Sequence, residues 1–373
     1  MDNLNTVIIH YWLKRMRGGE KVIESIVDIF PEADIITNLY SKNNISSKLS
    51  KRIKKTTFIN QLPFASFFYQ YYLPLYPTAL KRIHIDSAEL VVSSESGPAK
   101  GINVANNIPH ICYTHSPMRY IWDMLDIYFG TGTKRKILQP AINYLQKWDY
   151  STAQKVDYII ANSNFVKERI NKYWKRKSTV IYPPVDTNQF GISDNINENY
   201  LLFGEHVKYK KSELVVRAFN VNKKKLVVMG GGNKLQYLKS IANDNIIFLG
   251  RVNIDVMKKY LSSSRALIFP GIEDFGIIPV EAMACGRPVI AFNEGGATET
   301  VLENVTGLFF KYQTLDSLND TLKQFENIES QFVPKNIQNY SHKFDKSVFQ
   351  KKFKEYIDTC LVDFNKTGVS KRR

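Results

Sequence analysis

Two carboxylates eight positions apart stand inside the sequence's most distinctive string, Gly271-Ile-Glu273-Asp-Phe-Gly276-Ile-Ile-Pro279-Val-Glu281-Ala-Met-Ala-Cys-Gly286. The string follows an apolar run and reads as strand, loop and helix start. Gly276 permits close backbone approach, and the N–H groups near Ile277 and Ile278 at a helix N-terminus suit a phosphate. Pro279 fits the first helical turn, where its missing N–H costs little. Glu273 in the loop and Glu281 just inside the helix would then hold hydroxyl-rich groups on either side of that phosphate. Taken singly, each acid has a plainer reading: Glu281 complements the helix dipole and Glu273 is a solvated loop acid.

Gly18-Gly19 follows the first apolar run and opens a helix, so its backbone could also approach a phosphate; turn chemistry is the ordinary explanation of such a pair. Other chemistry finds little support. The six histidines are scattered and the three cysteines, Cys112, Cys285 and Cys360, lack metal-ligand spacing, so no metal is expected. No Ser-His-Asp arrangement stands out. No G-x-G-x-x-G follows the first strand, which weakens a dinucleotide-dependent oxidoreductase, and Gly230-Gly231-Gly232 lies after a later one.

These residues need a scaffold, and the pattern supplies one twice. Short apolar runs at 7–10, 35–40, 90–93, 111–114, 158–161 and 180–182 alternate with amphipathic stretches, including helices expected at 19–30 and 165–173. Tyr182-Pro-Pro-Val-Asp186 breaks the series. It restarts at 200–203, 226–229, 246–249, 266–269, 289–292 and 308–310, and a last helix is expected at 347–364 before a basic tail that frays. Alternating strands and helices predict parallel α/β layers, here two doubly wound sheets. The expected division is 1–184, 185–346 and 347–373.

The 373 residues suit two domains at roughly 150 residues each. With 44% hydrophobic and 23% charged residues the chain is neither disordered nor a disulfide scaffold. The net charge of +16 asks for an anionic partner. Residues 1–184 carry 25 basic and 14 acidic side chains, most of that excess. The first ten residues lack a basic region followed by a longer apolar one, and no eighteen apolar residues run together. The expectation is a cytoplasmic protein that does not span a membrane.

At the paired-glutamate string the sequence resembles the GT4 family of GT-B glycosyltransferases, retaining enzymes that include bacterial polysaccharide mannosyltransferases. Further matches run in family order: Arg17-Gly-Gly-Glu-Lys21, Ser93-Ser-Glu-Ser-Gly97-Pro-Ala-Lys-Gly101, Tyr113-Thr-His-Ser-Pro-Met-Arg119-Tyr-Ile-Trp-Asp123, Ala161-Asn-Ser163, Tyr182-Pro-Pro-Val-Asp186 and Tyr209-Lys210. The stretch 93–123 looks most like the O-antigen and capsule branch, where GDP-mannose is a common donor.

The resemblance implies a GT-B fold, two Rossmann-like domains facing a central cleft, with the C-terminal helix crossing back to the N-terminal domain. It implies a nucleotide-sugar donor on the C-terminal domain and an acceptor on the N-terminal one. Glu273 and His115 would act on the transferred sugar. Glu281 would hold the ribose, while Phe275, Gly276 and Ile277 lie along sugar and diphosphate. Gly18 and Gly19 would approach the donor phosphates, and Lys210 would neutralise the leaving diphosphate. Arg119, Trp122 and Asp123 would line the acceptor side, with packing an equal explanation for Trp122. Catalysis would proceed with retention and without an essential metal or other cofactor. One position departs from the pattern: Glu205 stands where many relatives carry an arginine, so either Lys210 works with another cation such as Arg251 or Lys208, or the site is altered.

Residues 35–85 contain no Asp or Glu and hold Lys51, Arg52, Lys54 and Lys55 near Phe58, Phe64, Phe67, Phe68, Tyr69, Tyr71, Tyr72 and Tyr76. Such a basic-aromatic segment suits an anionic membrane surface at the inner face of the cytoplasmic membrane. That is where an acceptor carried on lipid would be met; core packing is the competing explanation. No RNA-binding motif supports a nucleic-acid partner. Two readings of function therefore stand. One is a hexosyltransferase, mannose from GDP-mannose in the first instance, acting on a lipid-linked or oligosaccharide acceptor in bacterial surface polysaccharide synthesis. The other is a non-catalytic saccharide- or partner-binding protein of the same shape at the membrane, which Glu205 alone supports.

Overall fold

The computed structural model describes residues 4–367. The last helix runs three residues beyond its expected end at 364, into the basic tail expected to fray, and the rest of that tail, 368–373, lies outside the described residues. The chain divides into two units, one running to Pro184 and taking the chain back from Phe349, the other Val185–Val348. The second unit thus closes two residues later than its expected end at 346.

The first unit is built on seven parallel strands: β1 (Thr6–His10), β2 (Asp34–Thr37), β3 (Ile53–Thr56), β4 (Leu90–Glu95), β5 (His110–Thr114), β6 (Tyr158–Ala161) and β7 (Thr179–Val180). Their spatial order is β3-β2-β1-β4-β5-β6-β7, so the winding direction reverses between β1 and β4. Every residue of β4 and β5 is buried, as expected of a parallel strand covered on both faces. The expected strand at 35–40 ends at Thr37. Beyond it the Asn38 amide donates to the carbonyls of Tyr11 and Pro98, which turns the chain away from the ladder.

The helices that matter to the site are α1 (Gly18–Ile29), α2 (Ala65–Phe68), α3 (Leu125–Phe129), α4 (Thr133–Gln154) and α5 (Asn164–Trp174). Helix α1 forms because Val22, Ile23, Ile26 and Val27 share one buried face. Its first turn is closed by Glu20, whose carboxylate accepts the Arg17 N–H at 3.1 Å. Helix α5 starts at a Ser163 cap, whose hydroxyl accepts the Val166 N–H at 3.0 Å.

The second unit repeats the plan with six parallel strands: β8 (Tyr200–Phe203), β9 (Leu226–Met229), β10 (Ile246–Gly250), β11 (Leu267–Phe269), β12 (Val289–Phe292) and β13 (Gly307–Phe310). Their order is β10-β9-β8-β11-β12-β13, with the reversal between β8 and β11. Helix α6 (Ser212–Asn222) follows β8, and α7 (Ile277–Ala284) follows β11. The final helix, α8 (Lys346–Thr367), brings Phe349, Phe353, Ile357 and Cys360 into the core of the first unit beside Ile8, Ile23, Val92 and Tyr113. Burial of side chains this size stabilises by roughly 1.5–3 kcal/mol each. No described helix is long and apolar enough to cross a membrane.

Candidate active site

In a doubly wound sheet, ligands bind beyond the carboxyl ends of the strands where the winding reverses. In the second unit those ends are Phe203 and Phe269, and the family-type residues collect there. Lys210 Nζ lies 2.9 Å from Glu273 Oε1 in a small pocket also lined by Gly204, Glu205, His206 and Gly271. Burial alone would lower the Lys210 ammonium, but the facing Glu273 outweighs it and holds the group above its ordinary value. The lysine is therefore a fixed positive charge at neutral pH. Gly271 is a glycine for a steric reason: a Cβ there would stand 2.9 Å from the Lys210 Cα.

Gly276 caps α7 with φ of +93°, a conformation that side chains rarely adopt. This left-handed residue turns the Glu273 loop into the helix, whose first residues, Ile277 and Ile278, are half-buried. Glu281 follows in the second turn of α7 and is buried. Phe275 is also buried, packed edge-on against Phe344 at 5.5 Å. Its ring belongs to the core of the unit, and only its backbone runs along the loop.

The loops after β8, β9 and β10 press together through glycines. A Cβ on Gly230 would fall 1.8 Å from the Gly204 carbonyl oxygen, and one on Gly231 would meet Arg251 Nε at 2.6 Å. Arg251 thus lies over Gly231, with its guanidinium 4.0 Å from the Glu205 carboxylate. The acid at the departing position faces the cation nominated to replace it. Lys208 sits in the short turn leading to Lys210. His206 is buried behind them, its Nδ1 2.9 Å from Ser212 Oγ; burial, with Lys210 adding to it, pulls its imidazole down to about 4.

In the first unit the reversal lies between β1 and β4, which end at His10 and Glu95. Residues in and near the loops there converge on His115. Its Nε2 is 2.8 Å from Ser94 Oγ, and Ser94 Oγ is 3.0 Å from Nδ1 of the buried His10. A Cβ on Gly19 would meet the Tyr11 hydroxyl at 2.7 Å, His10 Cε1 at 3.6 Å and His115 Nε2 at 3.6 Å. Gly19 therefore lets α1 start hard against this cluster, and Gly18 precedes it as the first residue of the helix. His10, Tyr11 and Ser94 were not singled out from sequence. The available signal was a histidine ending the first apolar run and a Ser-Ser pair ending the third.

A second buried group stands behind the cluster. Lys100 is enclosed with Nζ bonded to Asp149 and 3.2 Å from Glu95 Oε1. Glu95 Oε2 accepts the N–H groups of Ala99 and Lys100 at 2.9 Å, and Asp149 Oδ2 accepts the indole N–H of Trp122 and of Trp174 at 2.7 Å. The Glu95 carbonyl in turn accepts the His115 N–H at 2.8 Å.

The acceptor-side candidates take structural contacts. Trp122 gives its N–H to Asp149 and stacks on Tyr173 with ring centroids 4.9 Å apart. Asp123 pairs with Arg169 at 2.9 Å. Arg119 is half-buried. The basic-aromatic segment splits: Ile59, Tyr76 and Ala79 form a small core, whereas Phe64, Phe67, Phe68 and Tyr71 are exposed, Phe67 and Tyr71 at 79%. Lys51, Lys54 and Lys55 face solvent, but Arg52 is held by Glu32 through two bonds of 2.9 Å.

Two parallel-sheet units wound in this way, each with polar groups at its reversal point, define a GT-B protein. Solved structures agree on the fold. Sucrose-phosphate synthase from Thermosynechococcus elongatus superimposes with a TM-score of 0.71 at 15% identity, covering 96% of this chain and all of that one. HepE from Anabaena, solved in complex with UDP, gives 0.69 at 14% identity over 95% of this chain and all of its own. The family described as glycosyl transferases group 1 matches residues 185–344, and the one described as glycosyltransferase family 4 matches residues 32–189. The chain belongs to the GT4 glycosyltransferases. Among curated relatives, alpha-1,3/1,6-mannosyltransferase ALG2 of Saccharomyces cerevisiae is 28% identical over 47% of this chain and 46% of its own. A GDP-mannose-dependent phosphatidylinositol monomannoside mannosyltransferase of Mycobacterium tuberculosis is 34% identical over 26% of this chain and 29% of its own. The matches span about half the length, or less, of these curated relatives.

Proposed function

We propose that this chain transfers a hexose, mannose from GDP-mannose, with retention to a lipid-linked or oligosaccharide acceptor in bacterial surface polysaccharide synthesis. The observation that carries the reading is the Lys210–Glu273 pair beside the glycine-capped start of α7, with Glu281 buried one turn further on. Mannosyltransferases among the relatives support the sugar, and the printed name of the mycobacterial one supports the guanine nucleotide. The neighbour solved with UDP makes uridine the base to test against it.

The chemistry follows from the charges present. On donor binding, Lys210 leaves Glu273 for the diphosphate, whose negative charge grows as the glycosidic bond breaks. Glu273, so released, faces the sugar and stabilises positive charge at the anomeric carbon. Glu281 takes the ribose hydroxyls, and the N–H groups at Ile277 and Ile278 meet phosphate oxygens. His115 is assigned to the sugar's hydroxyls by the family pattern. With Lys210 as the fixed cation, the diphosphate leaves without needing a divalent ion. The same diphosphate takes the acceptor's proton on the face where the bond forms, which retains configuration.

Calorimetry with GDP, UDP and ADP in the absence of metal tests the donor site. A micromolar preference for GDP is expected, and preference for UDP would replace the sugar proposed here. Glu281→Ala should weaken nucleotide binding at least tenfold, whereas Glu273→Ala should leave binding and abolish transfer. Full transfer by both variants would refute the assignment.

The exposed Phe64, Phe67, Phe68 and Tyr71, with Lys51, Lys54 and Lys55 on the same unit, support peripheral attachment to an anionic leaflet. A second reading, a non-catalytic saccharide-binding protein, is favoured by Glu205 alone, since a carboxylate beside Arg251 opposes a diphosphate. Nucleotide binding without transfer to any supplied acceptor would favour it.

A further inference from the structure

Helix α4 was not expected from the sequence, and its two faces differ in an informative way. Inward, Ile142, Leu145, Asp149 and Ala153 are buried. Outward stand Lys136, Ile137, Pro140, Tyr144 and Lys147, all exposed, Ile137 at 73% and Tyr144 at 48%. These positions recur every three to four residues and so share one side of the helix. The only acid among its 22 residues is Asp149, which is buried against Lys100. The outward face is therefore apolar and basic with no negative charge of its own. A water-facing helix ordinarily shows the reverse, acids and bases interspersed and apolar groups inside.

The neighbourhood continues the pattern. Ile127 and Tyr128 of α3, just before α4, are exposed, and Asp126 is neutralised by Arg135 at 3.1 Å. Leu73, from the turn after the exposed aromatic segment, packs with Leu145 and Trp148 in a small core of Met118 and Ile121. The aromatic segment and α4 are thus rooted in the same cluster of one unit.

We infer that the outward face of α4 is a second contact with an anionic lipid leaflet. Ile137 and Tyr144 would enter the headgroup boundary, and Lys136 and Lys147 would reach the phosphates. The composition fits that partner: tyrosine rings favour the interface, lysines lay their stems along apolar surface while the ammonium stays wet, and the unopposed positive charge complements anionic lipid. The inference rests on the membrane reading given above and adds a surface to it. Two separated contacts in one unit would fix that unit's orientation on the leaflet, where one would leave it free to roll.

The test is co-sedimentation of the full chain with phosphatidylcholine vesicles containing one third phosphatidylglycerol. Ile137→Ser with Tyr144→Ser, and separately Lys136→Glu with Lys147→Glu, should each weaken partitioning roughly tenfold. Melting temperature and nucleotide affinity should stay unchanged, because all four residues are exposed. If both pairs bind as the parent does while Phe67→Ser with Tyr71→Ser releases the protein, the α4 contact is wrong and the membrane reading survives. If the parent binds no vesicle, the membrane reading itself falls and takes this surface with it. If the parent is a dimer that the Ile137 and Tyr144 pair of changes splits without altering vesicle binding, the face belongs to a second copy and the inference is overturned.

Discussion

Ser94 Oγ joins two histidines in one hydrogen-bonded chain, 2.8 Å from His115 Nε2 on one side and 3.0 Å from His10 Nδ1 on the other. Burial, reinforced by His115, holds His10 well below its ordinary value, so it is neutral. Its Nε2 is buried without a hydrogen-bond partner, and an N–H left there would cost more than a lone pair. The proton is accordingly assigned to Nδ1, which donates to Ser94, and Ser94 donates to His115 Nε2. Neutral His115 then carries its proton on Nδ1.

Ser94→Ala should therefore lower kcat about ten- to a hundredfold while donor KM moves less than about threefold. Nitrogen chemical shifts of His115 should show loss of a single tautomer. Unchanged kcat with an unchanged tautomer would remove Ser94 from the mechanism.

Lys100→Met leaves Glu95 and Asp149 buried without their shared cation, and should cost about 3–5 kcal/mol of stability. A denaturation midpoint measures it. Replacing Lys100, Glu95 and Asp149 together by Met, Gln and Asn should recover much of the loss, because no uncompensated charge remains.

Glu20 gives a pH signature. Burial pushes its carboxyl up to about 7, against the Arg17 N–H that it accepts. The folded chain then holds a proton that the unfolded chain releases near pH 4.3, so stability falls as pH rises between about 4.3 and 7. Glu20→Gln should keep the cap and flatten that fall, gaining roughly 2–3 kcal/mol at pH 8. Parallel stability curves for parent and variant would show that Glu20 does not titrate there.

Glu205→Arg should tighten nucleoside diphosphate binding about tenfold by replacing a repelling carboxylate with a fork of donors. Arg251→Ala should weaken it by a similar factor. Weaker binding by the Glu205 variant would mean that the Glu205–Arg251 pair supports the site as it stands.

Much of this architecture was legible because parallel strands are continuous apolar runs. The runs at 158–161, 200–203, 226–229 and 289–292 coincide with β6, β8, β9 and β12. The string around Glu273 was legible because a glycine at a helix start and a proline in its first turn leave little freedom. Helix α4 escaped because its inward Ile142 and Leu145 are diluted by Pro140 and by outward Ile137 and Tyr144, which erase the stripe. His10 and Ser94 escaped because they meet only through pairing of β1 with β4, where His10 sits opposite Ser94. Trp122 shows the limit of motif reasoning: its place in the pattern is the same whether it touches a ligand or, as here, bonds to Asp149.

The return of the last helix to the first unit sets an order of events at the ribosome. The sheet that binds Phe349, Phe353 and Ile357 is complete in sequence once Pro184 has been made. At about 5–20 residues per second, the intervening unit takes roughly ten to thirty seconds to synthesise. Throughout that interval one apolar flank of the sheet has no cover. The domain that emerges first is thus the last to finish folding, and a nascent chain stalled within the second domain presents a surface for chaperones to shield.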